Sequence, residues 1–273
     1  MQSSFMPPSI ESLADIDTAD DSYEDASVVI QGVVSPSSSG GWFGENDDYE
    51  VHCFSFTAWR RLGEGIVKRE LTVLRPVPPD AEYGDDFPEY SICRIRVLLS
   101  ADATRAVFEK ALPLDSPDEE LQTLANELQR PVIVSTRGFG DLILDRGLGQ
   151  FDGDSDWNGD PISVTFPACN DTLADDVLKV AESLWSEQSK WKKQTEDFAV
   201  REYLELKNGV WLDERESKLS AKDFIDRMTL ELISISSDGE FEFWYDDGDL
   251  FWGHSIVVSG NLKDGPNRAV ISG

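Results

Sequence analysis

Residues 241–260, FEFWYDDGDLFWGHSIVVSG, decide the fold of the C-terminal half. Phe241, Phe243 and Tyr245 share one face at a period of two, Asp247-Gly248 offers a turn with positive φ, and Leu250, Trp252, His254, Ile256 and Val258 resume the alternation. The pattern predicts two antiparallel strands joined by a tight turn. Similar runs at 229–236 and 268–272, with Asp238-Gly239 and Asp264-Gly265 as further turn dipeptides, extend it to an antiparallel four-stranded meander.

Upstream, Leu173, Val177, Val180 and Leu184 recur at helical spacing, and Leu184, Trp191 and Phe198 continue the same stripe to Asn208-Gly209, a helix stop. Asp171-Thr172 is the expected cap of this helical region, which is either two helices or one long bent one. Ser220 and Asp223 open a further short helix with Phe224 and Met228 facing inward. Helices followed by strands predict an α+β domain over 137–273, its helices laid on one face of the meander.

The N-terminal half reads differently. Residues 1–26 are polar and acidic, an expected flexible arm. Strands are expected at 27–34, 49–62, 66–75, 90–100 and 131–136, and SPSSSGGWFG (35–44) and 80–89 read as loops. In the strand at 90–100, Cys93, Ile95, Val97 and Leu99 form the expected core face. Ser116-Pro117-Asp118-Glu119 looks like a capping box opening one short helix with Leu121, Leu124, Ala125 and Leu128 inward. The first domain, 27–136, is thus expected to be mostly β with one short helix, and the boundary falls at Arg137-Gly138.

Composition narrows the function classes. A chain of 273 residues with 40% hydrophobic residues can fill two cores, which excludes full-length disorder. The net charge of −29 gives a field that repels nucleic-acid phosphates and anionic lipid, so the expected large partner is a basic protein. Acidity that serves only solubility is the alternative. Three dispersed cysteines without CxxC spacing make a disulfide framework or zinc cluster unexpected, and the N-terminus carries no signal-peptide pattern. With no long apolar run, a cytoplasmic setting without membrane contact is the expectation.

Asn208-Gly-Val-Trp211, Phe224, Asp238-Gly239, the core DDGDLFWGHSI (246–256) and AVISG (269–273) resemble the bacterial domain-of-unknown-function family 2262 over roughly residues 139–273. The resemblance implies a fold and a bacterial or phage-borne cytoplasmic protein. It supplies no catalytic residue, and the N-terminal half resembles no family recognised from its sequence.

Two patterns invite chemistry. Asp154-x-Asp156-x-Asn158-Gly159 copies the first half of an EF-hand calcium loop, but Pro161 and Thr165 stand where that loop needs an apolar residue and its closing bidentate glutamate; an acidic hairpin turn is the expected reading. His254 follows Asp246, Asp247 and Asp249 closely enough for an acid/base pair, yet its alternation with Trp252 and Ile256 also suits an ordinary hydrogen-bonded strand histidine. His52 and Cys53, adjacent on a strand, point to opposite faces and cannot share a proton directly. No P-loop, GxGxxG or metal-spaced histidine pair is present, so no cofactor is expected. The leading expectation is a non-catalytic acidic binding protein, of the immunity or nucleic-acid-mimic type, with Asp246, Asp247, Asp249, Trp252 and His254 as its binding residues. A carboxylate- or His254-dependent hydrolase and a structural scaffold module stay open.

Overall fold

The computed structural model describes residues 22–36, 41–43, 49–79, 86–212 and 216–273, with only the backbone of 41–43. The chain divides into two units, Met1–Arg130 and Pro131–Gly273.

The first unit is built on strands β1 (Val28–Val34), β2 (Gly41–Phe43), β3 (Glu50–Arg61), β4 (Leu71–Val77), β5 (Ile92–Leu99) and β6 (Arg105–Leu112). Their order is β1-β5-β6-β4-β3-β2, and β1 also pairs with β3, so five of the strands close into a barrel. Among the described strands of this unit, only β4 and β6 run parallel, a connectivity shared with OB-type Greek-key barrels. Closure works because β3 is long enough to serve two neighbours: Glu50–Phe56 pairs with β4 and Phe56–Arg61 with β1. Opposite this bend, Gly32 leaves room for the Phe56 ring, which a Cβ there would approach to 2.6 Å. The barrel interior takes the alternating set Ile30, Val34, Phe56, Leu71, Val73, Ile95, Val97, Leu99 and Ala106.

Helix α1 (Glu119–Leu128) follows and buries Leu121 and Ala125. Its N-cap is Asp118, which accepts the Leu121 N–H, so the expected capping box at Ser116 is two residues early. Strand β6 was not expected from the sequence, and only Val67 of the anticipated stretch 66–70 touches a strand, as an isolated bridge to Trp59. The end of the acidic arm is held: Tyr23 bridges Ser100 and Glu24 ion-pairs with Arg61. The rest of the arm, parts of the loop at 35–44 and most of the loop at 80–89 lie outside the described residues.

The second unit contains β7 (Ile133–Thr136), β8 (Gly140–Asp145), β9 (Gln150–Trp157), β10 (Asp160–Cys169), β11 (Thr172–Leu173), helices α2 (Asp175–Ser186), α3 (Gln188–Val210) and α4 (Ala221–Ile225), then β12 (Thr229–Ile235), β13 (Glu240–Asp246), β14 (Ser255–Asn261) and β15 (Gly265–Ser272). The sheet order is β15-β14-β13-β12-β10-β9-β8-β7, with β11 beside β10. The expected four-stranded meander exists as β12–β15, but it is half of a larger sheet. A second antiparallel run, β7–β10, joins it through a parallel pairing of Ser163–Thr165 with Leu232–Ser234. Parallel neighbours need a crossover, and the three helices are that crossover.

One face of this sheet, including Phe151, Trp157, Val164, Phe166, Ile233, Phe241, Phe243 and Tyr245, packs against Val177, Ala181, Leu184, Trp191, Phe198 and Ala199 of the helices. The helical region is two helices broken at Glu187, whose φ of −132° leaves the α-range. The expected cap at Asp171-Thr172 is instead part of a turn and of β11, and Ala174 occupies the N-cap without a side-chain bond. The domain boundary also moves: residues 133–136, expected to close the first domain, pair with β8 as the edge of the second sheet. Among the described residues, no helix is long and apolar enough to cross a membrane.

Candidate functional site

Strand β13 ends at Asp246 and β14 begins at Ser255, so residues 247–254 form a loop and not the expected two-residue turn. Adjacent strand residues point to opposite faces, yet Leu250 and Phe251 are both fully buried; the chain must leave extended geometry to bury them together. The buried carboxyl of Asp247 organises that departure. Its Oδ1 accepts the Asp249 N–H at 3.0 Å and its Oδ2 accepts the Phe251 N–H at 2.6 Å. Gly248 runs at φ +53°, and a Cβ there would lie 2.3 Å from the Arg227 carbonyl oxygen. Phe251 then packs edge-on against Tyr203, Trp211 and Phe224.

The facing wall is the end of α3. The helix runs past the expected stop at Asn208-Gly209 to Val210, because Asn208 spends its side chain elsewhere: Nδ2 donates to the Leu219 carbonyl at 2.9 Å and Oδ1 accepts the Leu219 N–H at 2.7 Å. Lys207 is buried, donates to the Trp211 carbonyl at 2.8 Å and ion-pairs with Glu216 at 2.8 Å, while Arg227 pairs with the other Glu216 oxygen at 2.7 Å. The Lys207 and Arg227 cations hold the Glu216 carboxyl below its usual range against the opposing cost of burial. This triad fixes the chain on which Trp211 sits.

Trp252 alone of the loop's large apolar residues stays outside. It is 69% exposed and sits at φ +63°, a conformation costly for a bulky residue, with its ring 4.6 Å from that of Trp211. Val210, 74% exposed, is the last residue of α3, beside Trp211. His254 Nδ1 donates to the Phe251 carbonyl at 2.5 Å, which ties the loop's end to its centre. The ring also lies edge-on to Trp211 at 6.2 Å.

The structure therefore divides the expected binding residues. Asp246, Asp249 and Trp252 are exposed, and His254 is partly buried. Asp247 is a correction: with no exposed surface and both oxygens engaged by backbone N–H groups, it shapes the loop and cannot face a partner. Trp252 and His254 also leave the strand face on which the alternation placed them. Trp211, which the sequence pointed to only through the family resemblance, is the ring under Trp252.

The calcium-like run lies elsewhere. Asp154 and Asp156 are exposed along β9, and Asn158 and Gly159, both at positive φ, make the two-residue turn into β10. Asp156 accepts the Gly159 N–H at 3.0 Å, and Asn158 Oδ1 accepts from Ser189 at 2.8 Å. An extended strand spaces alternate carboxylates apart instead of converging them. Among the described residues, no group of three His, Cys, Asp or Glu side chains is placed to hold a metal ion. Burial pushes the Cys53 thiol up to about 11 and the Cys93 thiol to about 12, which suits core thiols, not nucleophiles.

Residues 137–271 match the family described as an uncharacterized protein conserved in bacteria (DUF2262), and residues 16–128 match a domain of unknown function (DUF7021). No curated protein and no solved structure matches the chain. Trp211 and the 246–256 core, which carried the resemblance, meet at one place in the fold, and the C-terminal half of the chain is similar to the DUF2262 family.

Proposed function

We propose that this chain is a non-catalytic binding protein for a basic protein, in the manner of an immunity protein or a nucleic-acid mimic, and that Trp252 is the centre of its contact surface. The observation that carries this reading is the exposure of Trp252. Asp247, Gly248, Leu250, Phe251 and Asn208 each have an internal role in building the loop and its wall, whereas the fold holds Trp252 outward at a strained φ. Exposed tryptophans of this kind are typical binding anchors, and strain tends to persist where function needs it.

Charge supplies the partner class. Asp246 and Asp249 are exposed in the same loop as Trp252, and the net charge of −29 accelerates encounter with a positive surface. A Trp ring beside carboxylates suits a Lys or Arg side chain, through cation–π and ionic attraction together. The His254 hydrolase reading loses its motivating contact, because His254 Nδ1 donates to a backbone carbonyl and not to a neighbouring carboxylate.

The test compares Trp252→Gly with wild type against a basic partner isolated with the chain, by association kinetics over a salt series. Glycine relieves the positive φ, so the melting temperature should stay within roughly 2 °C while affinity falls about 30-fold, the loss of one hot-spot side chain. Association should slow steeply with salt, and more after Asp246→Asn with Asp249→Asn than after Asp154→Asn with Asp156→Asn. Unchanged affinity in folded Trp252→Gly would sink the reading.

A further inference from the structure

Beneath α3, away from the Trp252 surface, a cavity of about 320 Å³ is lined by Trp157, Asp160, Pro161, Lys192, Glu196, Met228, Thr229, Leu230 and Tyr245. Its size falls at the lower end of small-molecule sites. Trp157, Pro161, Met228 and Leu230 give it apolar walls, and its polar groups are few. Lys192 and Glu196 stand one helical turn apart on α3, so both reach the same space.

Several hydrogen-bonding groups there are unspent. Lys192 reaches Asp160 at 3.6 Å, a loose pair that leaves ammonium donors available. Tyr245 is better satisfied: Thr195 Oγ1 donates to the Trp191 and Lys192 carbonyls, so the Tyr245 hydroxyl donates to Thr195 at 2.6 Å and keeps acceptor lone pairs. Glu196 is partly buried, and burial raises its carboxyl above the ordinary range against the opposing pull of Lys192. A ligand cation beside it would restore the charged form.

We propose that this cavity binds a small zwitterion with the chemistry of a free amino acid, Glu196 receiving its ammonium group and Lys192 receiving its carboxylate. The opposite charges of Lys192 and Glu196 match the two ends of such a molecule, and the apolar walls accept a short side chain. A lone cation would meet Lys192 as a like charge, and a lone anion would meet Glu196 as one. This site stands apart from the protein-binding surface proposed at Trp252 and does not depend on it.

The experiment is a thermal-shift screen of the full chain against each of the twenty amino acids at about 10 mM, with N-acetyl and carboxamide derivatives of any hit. At 100 times Kd a ligand adds about 2.7 kcal/mol, so at least one free amino acid should raise the melting temperature by several degrees. Blocking either end should remove the shift, which separates a zwitterion from an amine or a carboxylate source. Glu196→Gln and Lys192→Met, conservative in size and on a partly exposed helix face, should keep the unliganded melting temperature and lose the shift by at least tenfold in affinity. No shift from any amino acid, or a shift that survives both Glu196→Gln and Lys192→Met, overturns the proposal.

Discussion

Two acidic turns of the second unit, Asp156 to Asp160 and Asp246 to Ser255, share a composition of Asp and Gly and look alike as hairpin signals. In the first, Asn158 and Gly159 turn the chain in two residues, and Trp157 faces Asp160 across the ladder. In the second, the strands separate at the Asp246–Ser255 pair and the chain between them folds around a buried carboxyl. What differs is the sequence after the turn dipeptide. Pro161 and Ile162 alternate outward and inward, whereas Leu250 and Phe251 are both drawn into the core. Burying two neighbours at once cannot be done in a strand, and the apolar gain, roughly 1.5–3 kcal/mol for each side chain, outweighs the lost ladder bonds once Asp247 satisfies the freed N–H groups.

The comparison can be broken by matched substitutions. Asp247→Ala removes the acceptor of two backbone N–H groups in the core and should cost about 3–5 kcal/mol in a chemical-denaturation experiment, against about 0.5–1 kcal/mol for Asp156→Ala, whose single bond is exposed. Equal losses would mean that Asp247 does not organise its loop. The glycines give the next contrast. Gly248→Ala drives a Cβ into the Arg227 carbonyl and should cost about 3 kcal/mol, whereas Gly159 has open space around it and should cost about 1 kcal/mol for its positive φ alone.

A third measurement addresses the wall that carries Trp211. Glu216→Gln leaves the buried Lys207 charge poorly compensated and should cost about 3 kcal/mol near neutral pH. Because the folded Glu216 carboxyl is depressed from its ordinary 4.5, its contribution is present above that value and is lost as pH falls through the lower folded one. Wild type and Glu216→Gln should therefore converge in stability as acidification proceeds below the ordinary 4.5, and a gap that stays constant would count against the ion pair. The smallest expected effect is that of calcium: at millimolar concentration it should move the melting temperature by less than about a degree, and a rise of several degrees abolished by Asp154→Ala would reveal a site in the β9–β10 turn.

The periodicity of Phe241, Phe243 and Tyr245 and the apolar seam of Leu184, Trp191 and Phe198 were legible because a period of two or of about 3.6 is written in consecutive residues. Strand β6, RAVFEKAL, was not legible, since Ala, Glu and Lys carry little β preference; closure of the barrel against β4 and β5 imposes the extended form. Strand β9 hid behind its aspartates, which occupy the exposed face while Phe151 and Trp157 take the inner one. The parallel joint between β10 and β12, separated by three helices, leaves no local trace at all.

The same division holds for the site. The sequence by itself determined that the DDGDLFWGHSI core was special, that the chain is strongly acidic, and that helices precede strands in the second half, because composition and short-range pattern are properties of neighbours along the chain. Only the tertiary structure decided that Asp247 faces inward and Trp252 outward, that Trp211 meets Trp252, and that Glu196, Lys192 and Trp157 line one cavity. Each of these depends on side chains brought together across the sheet and α3, and which carboxyl is buried is set by the competition between apolar burial and backbone hydrogen bonding at that place.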